Sequence, residues 1–340
     1  MITQTGMKNG LTSIIIPMYN ASLYIGETLE SVRSQKYKNW ELIIVDDGST
    51  DSSVVKVQDF ISKYPNEARL LQHPNKKNRG TSASRNLGMK HAIGEFVCFL
   101  DADDVWEPDF LGFFVGVLEK NHEISMAYGP ALLWHMNQNS STDYVQHLGI
   151  KTNKIVDPYD LFKMFLVGEA DTPSPSGVMI RRNAILEVGG WEEAFPGMYD
   201  DQVLYSKLLL RGGAVYVADK CLYRYRQHSE SLCKMSTRER RNADSRKKYL
   251  EWLKQYLKNR GQFAEDVEII IAEHMWYAHR QKEIEILSAA GWWTQKTSAL
   301  RSLATLLGRQ KNFISAIKLC GRIVGQQVAS AARTSKDSRH

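Results

Sequence analysis

The sequence predicts an α/β fold in which a parallel, doubly wound sheet is followed by an all-helical C-terminal extension. Three observations predict it. Short β-branched runs alternate with stretches of helical apolar spacing from about residue 12 to residue 105. The connections between successive runs are long enough for right-handed crossovers. From Arg238 onward both strand alternation and proline disappear.

The elements follow in order. Thr12-Ser13-Ile14-Ile15-Ile16-Pro17 reads as a buried first strand stopped by proline, and Ile25, Leu29 and Val32 then recur at helical spacing up to Gln35. Trp40 to Val45 is a second strand emptying into Asp46-Asp47-Gly48-Ser49-Thr50-Asp51, where Asp51 is placed to cap a helix with Val54, Val57 and Ile61 on its apolar face. A third strand near Arg69 to Gln72 leads to a helix over Thr81 to Ile93, and Gly94 opens the strand at Phe96. Pro108 fits the first turn of a helix running to about Lys120. Residues 131–156 carry little pattern and read as a surface excursion. Gly177 to Arg181 looks like another strand, Gly189-Gly190-Trp191 a turn, Tyr199 to Arg211 a helix, and Val215 to Val217 and Leu222 to Arg226 late strands.

Charge divides the chain. Residues 1–235 carry 24 basic and 28 acidic side chains, whereas residues 236–340 carry 20 basic and 10 acidic. A basic tail on a slightly acidic body predicts an anionic partner, with a phospholipid surface and nucleic acid as the candidates. Trp292-Trp293 precede a stretch in which Leu300, Leu303, Leu307, Phe313, Ile314 and Ile317 are interleaved with Lys296, Arg301, Arg309, Lys311, Lys318 and Arg322. That composition suits an interfacial helix, and equally a helical hairpin packed on the body with solvated lysines. Cys98, Cys221, Cys233 and Cys320 show no C-x-x-C spacing and read as reduced thiols of a cytosolic protein. Met1 to Gly10 lacks an apolar signal-peptide core, and no stretch reaches the length of a membrane span.

The most chemically loaded stretch is Phe96-Val97-Cys98-Phe99-Leu100-Asp101-Ala102-Asp103-Asp104-Val105-Trp106. Side chains alternate along an extended segment, so Asp101 and Asp103 are expected to share a face. Like charges held that close call for a cation, and two hard oxygen ligands with room for water and a nucleotide diphosphate suit Mg²⁺ or Mn²⁺. An acidic turn after a buried strand is the plainer alternative. Its position favours the site, because open α/β sheets place ligands beyond the carboxyl ends of their strands.

Four motifs now stand in order: Ile16-Pro17-Met18-Tyr19-Asn20, Val45-Asp46-Asp47-Gly48-Ser49-Thr50-Asp51, Gly80-Thr81-Ser82-Ala83-Ser84-Arg85-Asn86-Leu87-Gly88, and Gly94-Glu95-Phe96 leading to Leu100-Asp101-Ala102-Asp103-Asp104. Together they resemble the family 2 glycosyltransferases of GT-A fold. The likeness continues through Gly189-Gly190-Trp191, Tyr199-Asp200-Asp201 and Tyr225-Arg226-Gln227-His228. It implies a Rossmann-like mixed sheet flanked by helices and a catalytic domain over residues 11–232. The nucleotide-binding half would cover about 11–105 and the acceptor half 106–232, followed by a helical extension over 236–333.

The resemblance further implies an inverting transfer from a nucleoside-diphosphate sugar, a UDP-sugar above all, to a hydroxyl of a glycan or lipid-linked acceptor. Mg²⁺ or Mn²⁺ would sit on the diphosphate, the setting would be cell-surface glycan assembly, and nucleic acid would not be a partner. Pro17 and Tyr19 would flank the base, and Asp47 matches the carboxylate that reads the nucleotide. Arg85 matches an arginine near the nucleotide whose fork suits a phosphate or a carboxylate neighbour; a helix-surface arginine is the plainer alternative. Asp101 would contact the ribose or back up the metal, Asp103 would ligate it, and Asp104 would serve the turn. His228 would be a metal ligand or a hydrogen-bond donor on a closing loop.

Asp201 is implied as the general base. Local physics assigns Asp200 to the helix N-cap and Asp201 to the first helical position, ionised by the helix dipole and pointing into a cleft. Gln227-His228-Ser229-Glu230 departs from the Gln-x-x-Arg-Trp pattern of processive synthases, which favours single-sugar addition. A cytoplasmic protein with peripheral membrane contact through its basic helices is expected. The rivals are a sugar nucleotidylyltransferase, which Pro17-Met18-Tyr19-Asn20 fits poorly as a phosphate loop, and a non-catalytic scaffold of the same fold.

Overall fold

The structure, a computed structural model, describes residues 8–65, 67–135, 143–228, 241–261 and 264–275. It comprises two compact units that divide after Arg241. In the first unit, strands β1 (Lys8–Met18), β2 (Trp40–Asp46), β3 (Ala68–Gln72) and β4 (Gly94–Phe99) alternate with helices α1 (Ile25–Arg33), α2 (Ser53–Lys63) and α3 (Thr81–His91). These four strands pair in parallel in the order β3-β2-β1-β4. The chain therefore builds outward from β1 in one direction and returns to its other side with β4, which makes the β1/β4 boundary the topological switch point.

The sheet does not end on proline. β1 continues through Pro17 to Met18, in register with Val45 and Asp46. The tolerance has a geometric reason. In a parallel ladder alternate residues address alternate neighbours, and the Ile15 carbonyl accepts from Leu100 N–H on the β4 side, two residues before Pro17. The absent N–H of Pro17 thus faces a side where β4 has already ended at Phe99. The N-cap of α2 is Ser52 and not Asp51 as expected; Asp51, one residue earlier, still accepts from the backbone N–H of Ser53, and its other oxygen accepts from Ser22 N–H beyond β1.

After β5 (Val105–Trp106) and α4 (Phe110–Lys120) the topology changes. The described segments that follow are β6 (Ile124–Tyr128), β7 (Leu132–His135), β8 (Tyr144–Val145), β9 (Lys154–Val156), α5 (Pro158–Val167), β10 (Val178–Arg181), α6 (Arg182–Glu187), α7 (Asp200–Arg211), β11 (Ala214–Val217) and β12 (Tyr223–Gln227). β10 runs antiparallel to both β4 and β6, so the eight-stranded sheet β3-β2-β1-β4-β10-β6-β11-β9 is mixed, as the family resemblance implies and strand-helix alternation alone does not. Residues 131–156 are not a mere surface excursion: β7 and β8 join β5 and β12 in a second sheet, β5-β12-β7-β8, and β9 edges the first. α4 begins at Phe110, with Pro108 in the turn before it. α5 carries signals that the sequence reading passed over: Asp157 accepts from the N–H groups of Tyr159 and Asp160, and Pro158 occupies the first helical position.

The second sheet is seated on the site by Trp106. Its ring stacks on Phe110 at 4.3 Å, and its indole N–H donates to the carbonyl of Ser176. Ser176 belongs to a single 3-10 turn, Pro175–Gly177, whose hydroxyl accepts from the backbone N–H of Asp101. Gly177 lies flat against the ring of buried Tyr223 on β12.

In the second unit, the helix Arg241–Arg260 buries Tyr249, Leu250, Leu253 and Leu257, and helical residues 265–275 bury Val267 and Ile271. The Trp292-Trp293 segment with the basic stretch to Arg322, and Cys233 and Cys320, lie outside the described residues. Among the described residues no helix is long and apolar enough to cross a membrane.

A methyl group added at Gly177 would stand 2.3 Å from Tyr223 Cε1. Because overpacking a rigid core typically costs about 1–3 kcal/mol, Gly177→Ala should lower stability by that amount, read as a reduced midpoint in urea unfolding with an unchanged m-value.

Candidate active site

The site grows from the carboxyl ends of β1, β2 and β4. Tyr19, just beyond β1, is 51% exposed, whereas Pro17 is buried within the strand. Asp46 and Asp47, at the end of β2, are both buried. Asp46 accepts from Ser49 N–H and from the Gln72 side chain. Asp47 accepts from the backbone N–H groups of Arg79 and Gly80, at 2.7 and 2.9 Å, and so pins the loop that opens α3. That loop presses against the segment leading to α7: a Cβ on Gly80, whose φ is +86°, would lie 2.5 Å from Pro196 Cβ, and Thr81 N–H donates to the Pro196 carbonyl.

The aspartates after β4 do not continue the strand. β4 ends at Phe99, and Asp104 N–H donates to the Asp101 carbonyl, closing a turn. Strand alternation therefore stops applying, and the expected convergence of Asp101 and Asp103 on one point is replaced by two separate partnerships. Asp101 Oδ1 accepts from Arg85 at 2.7 Å; Asp103 Oδ2 meets His228 Nε2 at 2.9 Å. Asp104 serves the turn as expected, fully buried, with Oδ1 accepting from Arg226 N–H. Thr28 on α1 donates to the carbonyls of both Ala102 and Asp104, which fixes the turn from below.

Arg85 is no surface arginine. It is 3% exposed, and both terminal nitrogens meet carboxylates: NH2 at Asp101 and NH1 at Asp200, each at 2.7 Å. The sequence left phosphate and carboxylate open as neighbours, and the structure places carboxylates there. Asp200 is likewise not the N-cap. That position belongs to Tyr199, in the left-handed region at φ 64°, with no side-chain capping bond; Asp200 and Asp201 are the first two helical residues of α7. Asp201 Oδ1 accepts from Gln202 N–H.

A second buried arginine serves the other side. Arg226, 1% exposed on β12, donates through Nε to the Asp103 carbonyl and through NH2 to Glu27, both at 2.6 Å. Its guanidinium lies between Trp134, at 4.3 Å, and Tyr24, at 5.1 Å. Two residues on, His228 packs on the Tyr24 ring with centroids 4.8 Å apart. Arg226 and Asn86 are contacts of the site to which sequence reasoning assigned no part. Asn86 clasps the backbone of Trp191 from both directions, at 2.9 and 3.0 Å, and both residues sit inside quoted motifs that offered the signal.

Only Asp103 and His228 come together as candidate metal ligands; among the described residues no group of three His, Cys, Asp or Glu side chains is poised to hold an ion. The fit to a divalent cation is that of an open site: a half-buried carboxylate and an imidazole in contact, their remaining shell available to water and phosphate.

Comparison with known proteins bears on this arrangement. A model of Glycosyl transferase family 2 matches residues 13–185. The chain is 38% identical over 123 residues to UDP-Glc:alpha-D-GlcNAc-diphosphoundecaprenol beta-1,3-glucosyltransferase WfgD of Escherichia coli, an alignment covering 36% of this chain and 46% of the relative. The chain thus matches less than half of that relative's length. In fold it is similar to residues 1–349 of S. aureus TarS in complex with UDP-GlcNAc, with TM-score 0.62, 21% identity, and 90% and 81% of the two chains covered. It is also similar to the mannosyltransferase PcManGT of Pyrobaculum calidifontis in complex with GDP-Man and Mn²⁺, with TM-score 0.56, 18% identity, and 97% and 88% covered.

Electrostatically the site is an acid cluster withdrawn from water. Burial raises the carboxyls of Asp101, Asp104 and Asp201 above the usual aspartate range. Burial likewise raises Asp200 to about 7, against the pull of Arg85 and with the repulsion of Asp201 and Asp101. Burial works against the charge on Arg85, but Asp101 and Asp200 hold it above its ordinary value. Asp201, expected to be kept ionised by the helix N-terminus, is instead raised, because burial outweighs the Gln202 N–H that it accepts and the nearby charge of Arg85.

The pH dependence follows. An unfolded aspartate titrates at about 3.9, so the folded state holds the Asp200 proton more tightly, and this group's contribution to stability is lost as pH rises from about 4 to about 7. Asp200→Asn cannot titrate there, and its urea midpoint should fall less between about pH 5 and about pH 7 than that of the wild type.

Proposed function

Because the chain belongs to Glycosyl transferase family 2, we propose that it transfers one sugar from a nucleoside-diphosphate sugar to an acceptor hydroxyl with inversion at the anomeric carbon. The observation that carries the reading is the meeting of two acid pairs at the open end of the sheet: Asp101 and Asp103 after β4, and Asp200 and Asp201 opening α7, with Arg85 joining the two. A scaffold has no need of such a cluster.

In this reading residues 11–232 form the catalytic domain, with the donor half over 11–105 and the acceptor half over 106–232. Residues 236–333 are expected to form a helical extension; the described part of them is helical over Arg241–Arg260 and 265–275, and the rest lies outside the described residues. The exposed ring of Tyr19, with Pro17 and Asp47 beside it, receives the nucleotide base. Asp47 does so as part of a preformed wall, its oxygens already fixed by Arg79 and Gly80 N–H. Asp101 lines the ribose side. Asp103 and His228 would hold Mg²⁺ or Mn²⁺, which supplies Lewis-acid stabilisation of the departing diphosphate.

Asp201 takes the proton from the attacking hydroxyl. Its upward shift by burial suits that work, because a base is most effective when its proton affinity approaches the operating pH. A UDP-sugar donor agrees with the UDP-GlcNAc complex of the TarS fold neighbour, and a lipid-linked surface-glycan acceptor with the activity in WfgD's name. A cytoplasmic enzyme working on such an acceptor would meet the inner membrane face, where the basic residues beyond 236 would find anionic lipid.

UDP release from UDP-sugars, with and without Mn²⁺, tests the assignment. Asp201→Asn should lower kcat by about 10² to 10⁴ while the UDP dissociation constant stays at the wild-type value by calorimetry. Asp103→Ala should remain folded and lose the Mn²⁺-dependent part of turnover. Wild-type turnover by Asp201→Asn would remove it from the mechanism.

A further inference from the structure

Arg85 raises a question that the family resemblance does not answer. A nucleotide-binding arginine needs its fork free for an anion, but this fork is occupied within the protein. NH2 is bonded to Asp101 and NH1 to Asp200. One face of the guanidinium lies 4.2 Å from the Trp191 ring. Trp191 is itself fixed, edge-on to Phe99 at 5.0 Å and clasped along its backbone by Asn86, the residue after Arg85.

What this assembly constrains is the start of α7. Helices are usually aimed at their N-termini by a capping side chain, but Tyr199 supplies none. Arg85 ties the first turn of α7 to α3 through Asp200 Oδ2, while Asp200 Oδ1 accepts from the N–H of Asp201, the next residue along. At its other end Arg85 grips the turn that carries Asp103. A planar fork bridges two carboxylates at fixed separation, which an ammonium on a flexible stem cannot do.

We infer that Arg85 is a positioning residue for Asp201, setting its distance from the donor end of the site by bridging Asp101 to Asp200, and is not a ligand of the nucleotide diphosphate. This rests on the reading of Asp201 as the base. Misplacing a reacting group by about 1 Å is enough to cost roughly 100-fold in rate, so the effect should fall on kcat.

The test compares Arg85→Lys, Arg85→Gln, Asp200→Asn and the double variant Arg85→Gln/Asp200→Asn in the full chain. Folding is checked by circular dichroism, UDP affinity is measured by calorimetry with Mn²⁺, and kcat by UDP release at saturating donor. We expect kcat to fall at least about tenfold in Asp200→Asn and in both Arg85 variants, with UDP affinity within about threefold of wild type. The double variant should be no slower than its slower parent, since residues acting through one contact lose it only once. UDP affinity weakened tenfold or more with kcat preserved would make Arg85 a donor ligand and overturn the inference, as would losses that multiply in the double variant. Should Arg85→Gln not fold, Asp200→Asn, which preserves size but removes the charge and replaces one of two accepting oxygens by an NH2 donor, decides alone: wild-type kcat overturns the inference. Asp201→Asn, assayed alongside, separates the failures. Its full activity would sink the base assignment, whereas its inactivity beside fully active Arg85 and Asp200 variants would sink only the positioning role.

Discussion

Carboxylates that must stay close together out of water impose the condition that the rest of the site satisfies. Asp104 and Asp200 are buried and Asp101 is partly so, and an unpaired charge in such a place is unfavourable. Two buried arginines answer from opposite sides. Arg85 bridges Asp101 and Asp200, while Arg226 holds the main chain of Asp103 and, through its own N–H, the carboxylate of Asp104. Each guanidinium is faced by indole, Trp191 for one and Trp134 for the other. The side chain of Asp103 meets His228 instead.

This division of labour explains why α3 is central. The loop that opens it is pinned by Asp47, just beyond β2, and packed by Pro196, its middle carries Arg85, and the following Asn86 holds Trp191. A short helix thereby touches the ends of β2 and β4 and the segment leading to α7. The acid pairs lie about a hundred residues apart in the chain, and Arg85 of α3 contacts both.

Much of this was legible in the sequence. The first four strands, their helices and their parallel pairing follow from local periodicity, because each strand pairs with one close by in the chain. The second sheet was not legible, because Leu132 on β7 finds its partner at Arg224 on β12 and neither short run is distinctive alone. In the site, the residues of interest were recognised, but two geometries were misread for the same reason. Alternation places Asp101 and Asp103 on one face only if the strand continues, and it stops at Phe99. Asp200 is an N-cap only if the helix starts after it, and it starts one residue earlier because Tyr199 adopts a left-handed conformation that tyrosine rarely takes. Side-chain pairing across more than a hundred residues, as between Arg85 and Asp200, leaves no local trace at all.

The seam between α3 and residues 189–201 also governs how such chains can be recombined. Gly80 fits against Pro196 only without a side chain, Asn86 matches the backbone of Trp191, and Arg85 matches Asp200. A chimera that exchanges acceptor halves at a crossover near residue 106 would pair one parent's helix with the other's loop and place all three fitted contacts across the junction. Retaining residues 80–86 and 189–201 from a single parent, while exchanging what lies between or beyond them, keeps that lock and its key together.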